Sequence, residues 1–570
     1  MRKRIRYTRN PLIESEPIVD FRDMLQKTAA REPADKCAYI YARHRKDYSV
    51  TYKQFYENVR AFGSALHARG YVGKPVAVIG ECDPAYMTAY YGTVITGGVI
   101  VPLDKDISDE ETENFLRWSE AAAVVYTEGQ NERMKVLCEK LPDLLFLAVH
   151  PRDEEKENPH IELYDDFLAA GKEAYEKGDN FFDVCTPDKD ACCAIIFTSG
   201  TTGTSKGVML SQNNLIASTM ASADVIDQLG DFTTILSVLP MHHTYEITTG
   251  HLTPHYYGAT IAINESLKYF NKNVLKYQPD YMILVPLFVE TLHKKMWEEI
   301  RKEGKEKKVR RGMRISNFLL SLGIDRREKT FAEILEKFGG KLRGVVSGGA
   351  RLNPECIHDF RSIGIEVQEG YGITECSPLL AANPINRNKV GTVGPPVRGV
   401  TVKIDKEKES DATGEILAKG PNVMLGYYKN EEATREVFTE DGYFRTGDIG
   451  FVDKDGYIHI TGRKKNVIIL NTGKNVYPEE LEEHLKDCPL FLESAVVGRE
   501  TPEGAVITAV IYPDYEQLKD LDEGQIEEKV REALNEINRT LPQYKQMRGL
   551  EIRKTEFEKT TSRKIKRHKI

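Results

Sequence analysis

Short apolar runs bounded by Gly, Pro or Asp recur along the chain at 76–80, 99–103, 121–126, 191–197, 234–239, 259–263, 281–285, 342–346 and 365–368. Between several of them lie helix-length stretches at 86–96, 212–228, 287–299 and 354–362, the last opening on Pro354 where a first turn admits it. Runs without polar alternation are strands buried on both faces, and strands separated by helices make parallel sheets covered on both sides. After about residue 385 the texture changes to short strands and tight turns, such as 414–419 and the Asp453-Lys454-Asp455-Gly456 turn before 457–461. Beyond Arg463 a helix (478–486), two apolar strands (493–498, 505–512), a charged helix (524–538) and a strand near 549–554 form a compact α+β unit. The expected architecture is α/β. A large N-terminal domain, 1–464, holds layered α/β subdomains to about 385 and a β-rich subdomain over 386–464, and a small mobile α+β domain follows over 465–570.

Composition sets bounds on function. The 570 residues carry a net charge of −8, with 41% hydrophobic and 29% charged residues, which excludes a disordered or nucleic-acid-coating chain. Nine scattered cysteines without a CxxC pair argue against a disulfide framework or zinc site and for a reducing compartment. The sequence has no apolar run near the roughly 18 residues of a spanning helix, so a cytoplasmic protein is expected. Both ends are basic. Arg2, Lys3, Arg4, Arg6 and Arg9 open the chain, either as a solvated arm or as a contact for anionic lipid. A basic stretch at 301–314 precedes an apolar one at 318–324, which reads either as a solvated excursion or as a membrane-surface helix giving weak peripheral contact.

The strand at 191–197 runs into Thr198-Ser199-Gly200-Thr201-Thr202-Gly203-Thr204-Ser205-Lys206-Gly207 and on toward a helix-like segment. Glycines let successive backbone N–H groups approach an anion, the hydroxyls add donors, and Lys206 adds a point charge. A Walker loop requires Gly before the Lys and Ser or Thr after it; here Ser205 precedes and Gly207 follows, so that reading fails.

This string resembles the signature loop of the adenylate-forming superfamily of acyl-CoA synthetases, peptide-synthetase adenylation domains and luciferases. Further strings agree in order over about residues 50 to 567. Gly370-Tyr371-Gly372-Ile373-Thr374-Glu375 resembles the segment whose Thr contacts phosphate and whose Glu ligates magnesium. An oxygen-seeking cation beside a triphosphate suits Glu375, with Thr198 as a second oxygen ligand, and Tyr371 can pack on a nucleobase. Ser347-Gly348-Gly349-Ala350 matches the Gly-rich strand end near adenine and the acyl chain, and Pro240-Met241-His242-His243 the segment whose last His, here His243, lines the carboxylate pocket. Tyr443-Phe444-Arg445-Thr446-Gly447-Asp448 matches the element whose Asp accepts both ribose hydroxyls. In Gly462-Arg463-Lys464-Lys465-Asn466 the resemblance gives Arg463 a ribose–phosphate contact and makes Lys465 the pivot of the C-terminal domain. In Lys559-Thr560-Thr561-Ser562-Arg563-Lys564 it makes Lys564 the adenylation lysine, with Arg563 where the family has glycine.

The resemblance implies activation of a carboxylic acid by ATP and magnesium to an acyl-adenylate, with pyrophosphate release, then transfer to the thiol of coenzyme A. The excursion near 300–335 and the ending 559–567 are most similar to long-chain fatty acyl-CoA synthetases, which implies a medium- to long-chain fatty acid. Acyl carrier protein as acceptor, a catalytically silent binder of carboxylate and nucleotide, and a peripheral membrane module are the alternatives. No nucleic-acid partner is expected.

Overall fold

The computed structural model describes residues 16–31, 33–198, 205–226, 233–470, 475–486, 488–501, 504–559 and 565–570. The N-terminal basic arm and the site candidates Ser199, Gly200, Thr201, Thr202, Gly203 and Lys564 lie outside the described residues. Contacts divide the chain into two compact units, one of residues 1–401 and 419–436, the other of 402–418 and 437–570.

The first unit is built on two eight-stranded sheets. One runs Leu379–Ala382, Glu366–Gly372, Gly344–Gly348, Tyr281–Leu284, Thr234–Ser237, Thr260–Ile263, Cys37–Arg43, Lys46–Thr51, parallel throughout except at its two edge strands. The other runs Gly426–Tyr427, Lys206–Ser211, Cys192–Thr198, Val99–Leu103, Pro75–Ile79, Ala123–Thr127, Leu145–Val149, Ile161–Leu163, antiparallel only at its first two strands. Val76, Ala77, Val78 and Ile79 are all fully buried, as the unalternating run requires for a strand covered on both faces. Helix Pro84–Ile95 is buried at every position, as an internal helix must be, and it starts where the Asp83 side chain accepts from Ala85 N. Helix Gln212–Val225 begins on a Ser211/Asn214 capping box.

The loop at 198–207 does not lead directly into that helix. A strand, Lys206–Ser211, intervenes and pairs antiparallel with the strand before the loop, Thr198 opposite Lys206 and Ile196 opposite Val208. Val208 and Leu210 are fully buried, and burying them against the sheet outweighs the helix pattern that begins at Gln212.

The second unit contains the antiparallel ladder of Gly414–Lys419, Phe444–Val452 and Ile458–Arg463, extended by Thr401–Asp405 at one edge. It also contains a three-stranded sheet of Phe491–Thr501, Gly504–Pro513 and Gly549–Ile552 with helices Pro478–Lys486 and Glu523–Thr540. Leu481, Leu485, Val496, Ile511, Val530 and Leu534 make its core. All nine cysteines are free. Among the described residues no helix is long and apolar enough to cross a membrane.

Candidate active site

In the first unit strands Cys192–Thr198 and Lys206–Ser211 pair as a hairpin with Thr198 opposite Lys206, and the Thr198 hydroxyl donates to Lys206 O at 3.4 Å. Strand Gly426–Tyr427 adds to the hairpin's free edge, Tyr427 opposite Val208, and Tyr428 N donates to Gly207 O at 2.7 Å. A side chain at position 207 would come within 3.2 Å of Tyr428 Cβ, so glycine there permits the close approach. The pairing lays the Tyr427 ring 4.6 Å from Lys206 Nζ, a cation–π contact.

The same tyrosine reaches Glu375. Its hydroxyl donates to Glu375 Oε1 at 3.0 Å, while Met424 N donates to Glu375 O at 2.8 Å. Buried Asn422 donates to Cys376 O at 3.0 Å and Leu379 O at 2.6 Å, fixing the short turn Thr374–Cys376 that carries Thr374 and Glu375. Burial first, and the Glu375 charge second, hold the Tyr427 phenol well above its ordinary pKa, so it stays a neutral donor. Lys206, Tyr427 and Glu375 thus form one chain of contacts from the loop's exit to a half-buried carboxylate.

This donor set fits magnesium. Glu375 and the Thr198 hydroxyl offer oxygen alone, and among the described residues no group of three or more His, Cys, Asp or Glu could hold a metal. Magnesium characteristically needs only one or two carboxylates when phosphates supply the remaining ligands.

At the adjoining ends of the parallel strands Gly344–Gly348 and Glu366–Gly372, Gly348 stands opposite Gly370. They open a pocket of about 80 Å³ lined by Gly349, Gly372, Tyr371, Tyr245, Val346 and Leu379, among others. The Tyr245 hydroxyl donates to Val346 O at 3.0 Å, and its ring lies 3.1 Å from where a Gly348 Cβ would stand. Ala350 sits exposed just past Gly349. His243 is two residues before Tyr245 and half-buried but is not among the lining residues. Its ring lies 4.1 Å from that of His242. Burial first, and Lys105 second, push the His242 pKa down to about 4, so this neighbour is neutral. A larger cavity of about 400 Å³, lined by Thr96, Gly98, Cys185, Pro187 and Cys193 among others, contains none of the motif residues.

In the second unit Asp448 and Arg463 are register partners on adjacent antiparallel strands. Arg463 Nε meets the buried Asp448 carboxylate at 2.7 Å, and Asp448 N is held by the Thr446 hydroxyl at 3.1 Å. Buried Glu415 takes Lys464 at 2.8 Å and Arg445 at 3.1 Å, steadying the strand ends around Gly447, whose φ is 69°. Lys465 follows in the turn Lys464–Asn466; burial and then the charges of Arg463 and Arg567 lower its pKa. Lys559 and Ile565 form an isolated antiparallel bridge. There Ile565 packs on Phe557, Ala495 and Val510, and Arg567 grips Glu482 at 2.5 Å.

The structure therefore joins Thr198, Lys206 and Glu375 in one cluster, groups Gly349, Gly370, Tyr371 and Gly372 around a pocket, and pairs Asp448 with Arg463. Sequence reasoning missed Tyr427, Asn422, Tyr245 and Glu415. Their positions depend on strand order, and no local spacing points to them.

The AMP-binding enzyme family matches residues 25–428, and the C-terminal domain of AMP-binding enzymes matches 465–570. The chain is 27% identical to the chloroplastic long-chain-fatty-acid–[acyl-carrier-protein] ligase AEE15 of Arabidopsis thaliana, over 87% of this chain and 76% of that protein. It is 33% identical to the long-chain-fatty-acid–CoA ligase FadD15 of Mycobacterium bovis, over 55% of this chain and 54% of that one. It is 27% identical to the human long-chain-fatty-acid–CoA ligase ACSBG1, over 81% and 67%. Among solved structures it superposes on the anthranilate CoA ligase AuaEII with anthranoyl-AMP at a TM-score of 0.76 and 18% identity, covering 96% of each chain. It superposes on ATP-bound MatB of Rhodopseudomonas palustris at 0.72 and 24%, covering 96% and 97%; these two likenesses concern the fold. With the family match spanning the paired strands Cys192–Thr198 and Lys206–Ser211 and the Glu375 turn, the chain belongs to the AMP-binding enzyme family.

Proposed function

We propose that the protein is an AMP-forming acid–thiol ligase that activates a medium- to long-chain fatty acid with ATP and passes the acyl group to coenzyme A. The observation that carries this reading is the Lys206–Tyr427–Glu375 chain of contacts, inside a chain of this family. A carboxylate must attack the α-phosphorus of ATP, so two anions have to be brought together. The chain's task is positioning and charge neutralisation, and no side-chain nucleophile is needed.

Lys206, the loop donors at 198–204 and Thr374 would bind the phosphates. Glu375, with Thr198, would hold magnesium, which supplies further neutralisation of the triphosphate. Tyr371 with Gly349, Ala350, Gly370 and Gly372 would receive adenine and the start of the acyl chain, His243 the carboxylate, and Asp448 with Arg463 the ribose. Lys564 would stabilise charge at the α-phosphorus as pyrophosphate leaves; the thiol then attacks the acyl carbonyl and AMP departs. Movement about Lys465 would separate the two half-reactions, with 465–570 acting as the mobile domain. Acyl carrier protein is the second acceptor reading, favoured by the likeness to the Arabidopsis ligase over most of the chain.

The test is pyrophosphate release across carboxylates from acetate to palmitate, with coenzyme A and acyl carrier protein compared as acceptors. At about 0.8 kcal/mol per buried methylene, each added CH₂ improves affinity roughly fourfold until the acyl site is filled; a flat profile refutes the fatty-acid reading. Lys564→Ala is expected to abolish acyl-adenylate formation but spare thioester formation from supplied adenylate, and equal loss of both refutes its assigned role.

A further inference from the structure

We propose that helix Glu306–Ser321 and the turn after it form a docking surface for an anionic lipid bilayer. One face of this helix is firmly attached to the first unit. Val309, Met313 and Ser316 are buried, Val309 and Met313 pack with Trp297 and Phe331, and Asn317 donates to Ser362 Oγ at 2.8 Å. Arg310 turns inward to Glu306 and lies over the Trp297 ring at 4.3 Å, and Lys305 is held by Glu303 and Glu333.

The opposite face is different. Lys307, Arg311, Arg314, Phe318 and Leu322 follow at steps of four, three, four and four, so they lie on one stripe, with Ile315 beside it. Lys307, Arg311 and Arg314 are exposed and meet no carboxylate among the described residues. Past them the stripe turns apolar while staying in water: Ile315 is 50% exposed, Phe318 64%, Leu322 59% and Ile324 45%. Ile315, Phe318 and Leu322 at the end of the helix, with Ile324 just after it, leave large apolar side chains exposed in sequence, a patch that needs an occupant.

The order of the stripe selects a bilayer. Long basic side chains can reach the phosphate level while the neighbouring aromatic and aliphatic side chains enter the acyl boundary, the arrangement of an interfacial helix. An acidic protein surface would answer the cations alone, whereas the stripe pairs them with apolar side chains, as a bilayer surface does. Acidic residues beside the patch are few: Asp325 is bound by Arg327, and Glu328 is exposed one turn further on.

The experiment sediments the full chain with vesicles of phosphatidylcholine alone or of phosphatidylcholine with phosphatidylglycerol, at low and raised salt. Retention by the anionic vesicles, weakened by salt, is expected. Phe318→Ser should weaken it about tenfold and Arg311→Glu with Arg314→Glu about a hundredfold. Both variants should keep the wild-type melting temperature and ATP–pyrophosphate exchange, because the altered side chains are exposed. Absence of retention, retention that neither variant lowers, or capture of purified acyl carrier protein by these residues without vesicle binding overturns the proposal.

Discussion

Two carboxylates at motif positions, one in each unit, are restrained in opposite ways. The Glu375 carboxylate accepts from the neutral Tyr427 phenol, with its main-chain carbonyl held by Met424 N, and among the described residues no cation touches it. Asp448 is held by the Arg463 guanidinium at 2.7 Å, so its charge is largely compensated and its oxygens serve as hydrogen-bond acceptors. A carboxylate that is to attract a cation needs a neutral partner. One that is to accept from sugar hydroxyls without drawing a metal is better beside a cation. The difference matches the division of labour proposed for the two residues.

Breaking the first restraint should have the largest effect. Glu375→Gln keeps the shape and removes the charge, and adenylate formation is expected to fall about a hundred- to a thousandfold in kcat. Raising magnesium should recover little of it. Asp448→Asn should act on binding instead: one acceptor remains, and the main change expected is a rise of about tenfold or more in KM for ATP, from a weakened charge-assisted acceptor. If both substitutions lower kcat alike with KM unchanged, the contrast drawn between the two carboxylates is wrong.

Tyr427 separates position from charge. Tyr427→Phe keeps the ring under Lys206 and deletes the hydroxyl that fixes Glu375. Losing one hydrogen bond of about 1 kcal/mol should cost roughly fivefold in adenylation rate and shift the magnesium optimum upward. Tyr427→Leu also removes the cation–π contact and should cost more, by a further few-fold. Magnesium titrations of pyrophosphate exchange read both; a Phe variant indistinguishable from wild type makes the phenol a bystander.

The regular elements were largely legible because their signals are local. Strands Val99–Leu103 and Gly414–Lys419 and helix Pro478–Lys486 fall where apolar runs and Pro in a first turn put them. The edge hairpin Cys37–Arg43 and Lys46–Thr51 escaped because its exposed positions dilute the apolar signal. Strand Lys206–Ser211 escaped because only its pairing with Cys192–Thr198 decides it. The site divides the same way. Glu375 and Lys206 stand in recognisable strings, but Tyr427, which joins them, lies 52 residues from Glu375 along the chain. That contact exists only once a two-residue strand has been added to a sheet edge, a long-range event that no sequence window contains.

A third carboxyl shows what happens when neither kind of restraint is enough to keep the charge. Glu246 is fully buried; Ser237 Oγ donates to one of its oxygens, and His251 Nε2 lies 3.7 Å away. Burial, only partly opposed by the Ser237 hydrogen bond, pushes its pKa from 4.5 up to about 8. His251, pushed down to about 3 by the same burial, is neutral and offers no compensating charge. A raised folded-state pKa means that the folded protein holds a proton the unfolded chain has lost. Glu246's contribution to stability is therefore complete below pH 4.5 and is lost as pH rises through about 8. Below pH 6.5 the lowered values of His251 and His255 act in the opposite sense, so the clean window is about 6.5 to 8. Across it the wild type should lose about 2 kcal/mol of stability, at 1.36 kcal/mol per unit for one proton. Glu246→Gln, which cannot ionise, should flatten that slope while leaving adenylation unchanged. Denaturant unfolding at pH 6.5 and 8 measures the difference, and equal slopes in the two proteins would show that Glu246 is already ionised at neutral pH.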